Sequence, residues 1–232
     1  MSDDVEVAEL DWATFLDRFD WRQGEHVSLI GPTGTGKTTL AVQLLHRRQF
    51  VCAIGTKPRD STLDALAADG YRRVAELPSE GKPPRVLVWP QFRTLDRAAK
   101  GRQSSIIGNA LDQAYSAGSW CIFVDELSYL SRTLDLAPEL TDIWQQGRAV
   151  GVSLIGCTQR PRWVPLDAYS GASHLFLWRT NDREDIKRLS GLNGADTEAV
   201  KAIVPQLPRF DVLYVDTRTG ALCITRPPAL ST

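Results

Sequence analysis

The chain has 232 residues, of which 43% are hydrophobic and 24% charged, with a formal net charge of −1. That length and apolar content suit one large α/β domain, alone or with a small appendage. Near neutrality excludes a histone-like coat for DNA, but leaves room for a local basic loop facing nucleic acid.

Residues 1–25 read as a short lead-in helix and turn, in which Trp12, Phe15, Leu16, Phe19 and Trp21 are spaced to cover one apolar face. The acidic start, Ser2-Asp3-Asp4, lacks the basic and apolar regions of a signal peptide. No apolar run approaches 18 residues, so no membrane segment is expected and a partner would supply any anchor. The expected location is the cytoplasm of a bacterial, archaeal or virus-infected cell.

His26–Ile30 reads as a buried strand, and Thr39–Leu45 as a helix. Between them lies Gly31-Pro32-Thr33-Gly34-Thr35-Gly36-Lys37-Thr38, followed by Thr39. This run matches the phosphate-binding loop G-x-x-x-x-G-K-[ST] in the strand-to-helix context the motif requires. Its glycines let backbone N–H groups converge on a phosphate, and the helix N-terminus adds partial positive charge. Gly31 through Thr39 are therefore the candidate nucleotide-binding set. Lys37 would reach the β- and γ-phosphates, and the Thr38 hydroxyl would hold Mg²⁺.

Phe50–Ile54 reads as a second strand, and Gly55–Asp60 at its end carries Lys57. Residues 61–69 look helical, Tyr71–Leu77 suggests a short strand, Ser79–Pro84 a turn, and Arg85–Pro90 a third buried strand. Leu95–Ala117 reads as a helix with a break near Lys100-Gly101. Cys121–Val124 lies in a very apolar strand that ends in Asp125-Glu126. A buried strand of this kind carries Asp125 to the carboxyl edge of the sheet, where it would hold Mg²⁺ directly or through water. Glu126 is then placed to polarise an attacking water. The competing reading is that both acids end a strand and cap the next helix.

Leu140–Val150 reads as a helix, Val152–Cys157 and Leu175–Arg179 as strands, and Asp182–Leu189 as a helix. A hairpin follows, with Val212–Val215 and Leu222–Thr225 joined by a turn at Thr217–Gly220. Strands alternating with helices predict a mostly parallel sheet covered on both faces, with the hairpin adding antiparallel strands at an edge. The expected organisation is a lead-in segment, 1–25, and a P-loop domain, 26–232, with the terminal hairpin at 210–226. Cys52, Cys121, Cys157 and Cys223 lie in apolar runs without a C-x-x-C pair and read as reduced core thiols. His26, His46 and His174 form no ligand pattern, so Mg²⁺ is the one metal expected.

The segment from Gln145 to Pro161 combines Arg148-x-x-Gly151 with a strand that exits at Thr158-Gln159-Arg160-Pro161. Together with Gly31–Thr38 and Ile122–Glu126, in that order, it resembles the HerA–FtsK superfamily of P-loop ATPases. That superfamily includes DNA translocases, conjugative coupling proteins and viral genome-packaging ATPases. The resemblance implies a three-layer, RecA-like fold of the additional-strand, catalytic-glutamate type, ATP as the nucleotide, and double-stranded DNA as a partner. It also implies a homo-oligomeric ring, a hexamer by analogy, that binds ATP between subunits. Gln159 then corresponds to the polar sensor, and Arg148 to the arginine finger inserted into a neighbouring subunit's site. Lys57 matches a basic residue the family often carries after the second strand. Without the resemblance, Arg148 reads as a charge at a helix C-terminus and Gln159 as a turn hydrogen bond. The β-barrel, membrane helices and winged helix of cellular translocases have no counterpart here, and the size suits the stripped-down viral packaging enzymes. The implied function is Mg-dependent ATP hydrolysis coupled to DNA translocation or packaging, with a partner protein recruiting the motor. The alternative is an ATP-binding switch or accessory subunit that hydrolyses weakly and gates assembly of a DNA-transfer complex.

Two basic groups are candidates for DNA phosphates: Arg93, Arg97, Lys100 and Arg102, and the pair Arg160 and Arg162 beside Trp163. A solvated surface is the competing reading for each. Leu189-Ser190-Gly191 resembles part of an ABC signature but lies after the acidic strand rather than before it, which excludes that class. A small-molecule kinase fits the Asp125-Glu126 pair with Gln159 less well than a hydrolase does.

Overall fold

The computed structural model describes residues 7–78, 83–92, 94, 96–189 and 197–228. In chain order the elements are β1 (Ala8–Glu9), α1 (Trp12–Arg18), β2 (Val27–Ile30), α2 (Lys37–Leu45), β3 (Val51–Ile54), α3 (Ser61–Ala68), β4 (Arg72–Arg73), β5 (Arg85–Val88) and α4 (Arg97–Ala117). Then come β6 (Cys121–Val124), α5 (Ala137–Gln146), β7 (Ser153–Thr158), α6 (Asp167–Ser170), β8 (His174–Trp178), α7 (Arg183–Leu189), α8 (Thr197–Ile203), β9 (Val212–Asp216) and β10 (Leu222–Thr225).

The strands form one sheet in the order β1-β10-β9-β8-β2-β7-β6-β3-β5-β4. From β8 to β4 all neighbours are parallel. β9 runs antiparallel to both β8 and β10. Every residue of β2, β3, β6, β7 and β8 is buried. That is why these strands read as mostly apolar runs rather than as alternations: both faces of a parallel sheet are covered. One face packs Phe15 of α1, Leu40 and Leu44 of α2 and Leu63 of α3. The other packs Ile107 and Leu111 of α4, Ile143 of α5, Tyr169 of α6 and Val200 of α8. The expected three-layer fold with an antiparallel edge hairpin is thus present. All four cysteines are buried and free, and burial pushes the Cys52 and Cys121 thiols up to about 12.

Several expectations are corrected. The long helix does not break at Lys100-Gly101 but runs unbroken from Arg97 to Ala117. The Asp96 carboxylate caps its start by accepting the Ala99 N–H at 2.7 Å. A Cβ at Gly101 would meet nothing within 4 Å, so this glycine lies on an open face. Its cost there, about 1 kcal/mol against alanine, is too small to interrupt a capped helix of this length. Helix α5 ends at Gln146, and Gly147–Val150 form a tighter 3₁₀ turn that closes at Gly151 in the left-handed region. Of Tyr71–Leu77 only Arg72–Arg73 pair as strand. Leu95, residues 79–82 of the expected turn, and Ser190-Gly191 lie outside the described residues. Among the described residues no helix is long and apolar enough to cross a membrane.

The lead-in segment joins the sheet. β1 pairs with β10 through Ala8–Cys223 and Glu9–Ile224, and Phe15 and Phe19 meet Phe176 and Tyr214 edge-on. Beneath them Glu25, 1% exposed, accepts hydrogen bonds from the Arg22 N–H (2.8 Å) and Arg218 (2.7 Å), and contacts His174 Nε2 at 3.1 Å. Burial alone would raise the Glu25 pKa, yet these partners together hold it below the usual value. Beside it His26 is 2% exposed, and its Nδ1 accepts the Leu154 N–H at 3.0 Å. Burial depresses His26 from 6.5 to about 4 and also lowers His174.

A histidine whose folded pKa is depressed binds its proton more readily when unfolded, so its stabilising effect is present above pH 6.5 and lost as pH falls toward 4. For His26 the loss between pH 7.5 and pH 5 is on the order of 2 kcal/mol. Urea midpoints should fall accordingly over that interval. His26→Gln, whose amide oxygen still accepts the Leu154 N–H, should flatten the pH dependence. A wild-type midpoint unchanged from pH 7.5 to 5 would contradict this account.

Candidate nucleotide-binding and catalytic site

The order β2-β7-β6-β3 decides which chain segments meet at the carboxyl edge of the sheet, where open parallel sheets place their ligands. The β2 end supplies Gly31–Thr39, the β7 end Gln159, the β6 end Asp125-Glu126, and the β3 end Lys57. Residues 31, 57, 125 and 159 are thus brought together although they span more than half the chain.

The loop turns through Gly34 (φ +75°) and Gly36 (φ +105°), both in the region that favours glycine. Helix α2 begins at Lys37, directly after Gly36. Gly31 is required for a different reason: a Cβ there would stand 2.5 Å from the Trp178 Cβ of β8. The Lys37 Nζ donates to the carbonyls of Gly31 and Pro32, both at 2.7 Å. Burial pushes its ammonium below the ordinary value, opposed by the negative charge of Asp125 and Glu126 nearby.

The Asp125 carboxylate faces two ways. Its Oδ1 accepts the Thr38 hydroxyl at 2.6 Å, and its Oδ2 accepts the Lys57 ammonium at 2.8 Å. Burial alone would lower the Lys57 pKa, but the hydrogen bond and charge of Asp125, with Asp60 and Glu126 adding, leave it raised. The Lys57 loop is pinned by Trp89 Nε1 donating to the Lys57 carbonyl (2.6 Å) and Gln103 Nε2 donating to the Thr56 carbonyl (3.0 Å).

The Glu126 carboxylate is held from both sides. Oε1 accepts the Ser128 hydroxyl at 2.6 Å, and Oε2 accepts the Gln159 amide at 3.0 Å. Ser128 leads into a π-helical turn, Tyr129–Thr133, a feature that recurs at functional sites. From that turn the Tyr129 hydroxyl donates to Gln103 Oε1 at 2.9 Å, so one side chain of α4 links the Glu126 segment to the Lys57 loop. Ser128 was not singled out in the sequence. Its signal is a hydroxyl two residues after the acid, which only a helical turn directly after the strand brings into reach.

A cleft of about 240 Å³ contains Lys37, Thr38, Lys57, Asp125, Glu126 and Gln159. It continues past Thr33 and Gln159 into a larger one of about 640 Å³ that Arg160, Arg179 and Arg209 help to line. The donor set suits Mg²⁺, which keeps several waters and takes one or two protein oxygens besides phosphate. Thr38 Oγ1 and Asp125 Oδ1 supply two converging oxygens. No group of three or more His, Cys, Asp or Glu side chains that could cage a metal occurs among the described residues.

Arg148 is not part of this cluster. It lies before β7, at the opposite edge of the sheet from Gln159, and is exposed. The six residues of β7 separate the two edges by about 20 Å. Of the basic candidates, Arg160 is paired with Asp182 and, at 2.9 Å, with Asp185, whose side chain is 2% exposed. Arg162 and Arg132 flank Trp163, which is 38% exposed. Arg97 and Lys100 open α4, Arg102 lies over the Phe92 ring, and Arg93 is outside the described residues.

Residues 21–164 match the family model described as an AAA domain. The DNA packaging ATPase P9 of Enterobacteria phage PRD1 is 24% identical over 210 residues, covering 88% of this chain and 87% of P9. The genome packaging NTPase B204 of Sulfolobus turreted icosahedral virus 2, solved in complex with AMPPCP, superposes with a TM-score of 0.66 at 18% identity. That match covers 89% of this chain and 98% of B204. VirB4 of Thermoanaerobacter pseudethanolicus superposes with a TM-score of 0.67 at 11% identity, covering 88% of this chain and 90% of VirB4. These relatives are in keeping with the resemblance to HerA–FtsK ATPases, and the solved structures share the fold.

The Arg160 ion pairs give this region a stability test. Arg160→Ala leaves the buried Asp185 carboxylate without its cation and should lower the thermal midpoint by roughly 5 °C. Arg162→Ala, on an exposed position, should shift it by no more than about 1 °C. Equal shifts in the two variants, followed by circular dichroism, would show that Arg160 is not committed to the fold.

Proposed function

The chain belongs to the AAA domain family and is an ATPase, and from that premise we propose that it drives DNA translocation during viral genome packaging. The observation that carries this reading is the Ser128–Glu126–Gln159 arrangement beside the phosphate loop. A carboxylate held by two neutral donors at the edge of a triphosphate-sized cleft is a general base with a fixed position. The likeness to P9, whose name states DNA packaging, supports the biological context.

In the proposed mechanism the N–H groups of Thr33–Thr38 receive the β-phosphate of ATP, and Lys37 exchanges its two carbonyl partners for phosphate oxygens. Thr38 and Asp125 would hold Mg²⁺, which when bound neutralises phosphate charge. Lys57 keeps the Asp125 carboxylate oriented toward Thr38. Glu126 takes a proton from the attacking water, with Ser128 fixing one carboxylate oxygen and Gln159 the other. Because the Gln159 amide lies between Glu126 and the phosphate loop, it is placed to report the γ-phosphate to the base. Arg148, remote from its own loop, serves the site of a neighbouring subunit in a ring, and a hexamer is the expected number. The exposed Trp163 with Arg132 and Arg162 is the proposed DNA-facing surface of that ring, where arginines meet phosphates without reading sequence. The setting is the cytoplasm of an infected cell, and a further protein brings the ring to its DNA.

Substitution tests the division of labour. Glu126→Gln should reduce ATP turnover by about 10²–10⁴-fold with binding retained. Arg148→Ala should reduce it by about 10³-fold or more, also with binding retained. A mixture of the two inactive variants should recover activity, because an Arg148→Ala subunit still offers an intact Glu126 that a Glu126→Gln neighbour can complete with its arginine. A mixture no more active than the sum of its parts would rule out Arg148 acting between subunits.

A further inference from the structure

A second cleft, of about 450 Å³, adjoins the phosphate pocket, and Gly34, Gly36, Thr39, Phe210, Pro227 and Pro228 form much of its lining. Gly34, Gly36 and Thr39 also line the phosphate pocket, so a single ligand can occupy both spaces at once. The two halves differ in chemistry. The phosphate side presents Lys37, Lys57 and backbone N–H groups. The second cleft presents an aromatic ring and two prolines, which offer flat apolar faces and no N–H donors.

Phe210 is 49% exposed, in a core that buries most of its large apolar side chains. It sits in the turn before β9, where the Asp211 N–H bonds the Pro208 carbonyl at 3.1 Å. The opposite wall is fastened to the same region. Arg226 is paired with Asp211, and Gln43, one turn beyond Thr39 on α2, donates its amide to the Pro228 carbonyl at 3.2 Å. The walls are therefore linked to their surroundings by an ion pair and a hydrogen bond. An apolar slot joined to a phosphate site suits a flat heterocycle carried on a short polar linker.

We propose that Phe210 and Pro227-Pro228 form the nucleobase slot of the site, with the Phe210 ring stacking on the base of the bound nucleoside triphosphate. The proposal rests on the reading of Gly31–Thr39 as the triphosphate site and adds the residues that grip the other end of the ligand. Arg226 is already engaged by Asp211, so recognition comes mainly from stacking, which tolerates any base with an open π-face.

The test uses the full chain with two probes: ATP, and inorganic tripolyphosphate as a ligand without a base. Affinities for both are measured by titration calorimetry for wild type, Phe210→Ala and Phe210→Trp. Phe210→Ala should weaken ATP by about 5- to 100-fold and leave tripolyphosphate unchanged. Phe210→Trp should keep ATP within a few-fold of wild type. Retained tripolyphosphate binding also reports that the variant is folded. Unchanged ATP affinity in Phe210→Ala, or parallel loss of both ligands, would overturn the slot. If wild type binds neither probe, the triphosphate site itself is wrong, and the slot falls with it. Wild type binding tripolyphosphate as tightly as ATP would leave the triphosphate site standing and remove the base slot.

Discussion

The Asp125 carboxylate is the junction on which the site depends. It takes the Thr38 hydroxyl on one oxygen and the Lys57 ammonium on the other, and so ties the ends of β2, β3 and β6 to one another. Three segments meet there because the strands run parallel and are ordered β2-β7-β6-β3. One residue further on, Glu126 points between Ser128 and Gln159, at the end of β7. Asp125 and Glu126 therefore share one strand end, and a shift in β6 would move both together.

The two edges of the sheet do different work. The carboxyl edge gathers the phosphate loop, the acids and the amide. The amino edge holds Arg148 in its tight turn, and near it the buried residues Glu25, His26 and His174, with Arg218 paired to Glu25 from the surface. That group fastens residues 7–25 to β8 and to the turn of the β9–β10 hairpin. It also fixes the outer half of the sheet, which presents Arg209 and Phe210 beside the phosphate loop. Arg148 lies about one strand length from its own loop, so in the proposed ring each chain would offer its loop to one neighbour and its arginine to the other.

The sequence made the phosphate loop, the acid pair and the central strands legible because each is a contiguous run whose chemistry or burial is visible locally. Gly31–Thr38 needs no distant partner to be recognised, and β2, β6 and β7 are buried throughout and mostly apolar because both their faces are covered. What escaped is what depends on distant segments. β1 is two residues long and exists only through its pairing with Cys223 and Ile224. Arg160 reads as a DNA contact until Asp182 and Asp185, more than 20 residues on, neutralise it. Gly101 suggests a break, but the cap at Asp96 holds the helix together. The slot at Phe210 draws its walls from α2, the turn before β9 and the segment after β10, and no local pattern announces it.

The claim that the site is completed between subunits and engaged by DNA is tested most directly with the unmodified chain. Steady-state ATP hydrolysis is measured across a wide range of protein concentration, with and without double-stranded DNA. The account predicts a turnover per subunit that is low when dilute, rises with concentration as subunits meet, and rises further with DNA. A turnover that is the same at every concentration and indifferent to DNA would mean that each chain hydrolyses ATP alone, and would contradict it.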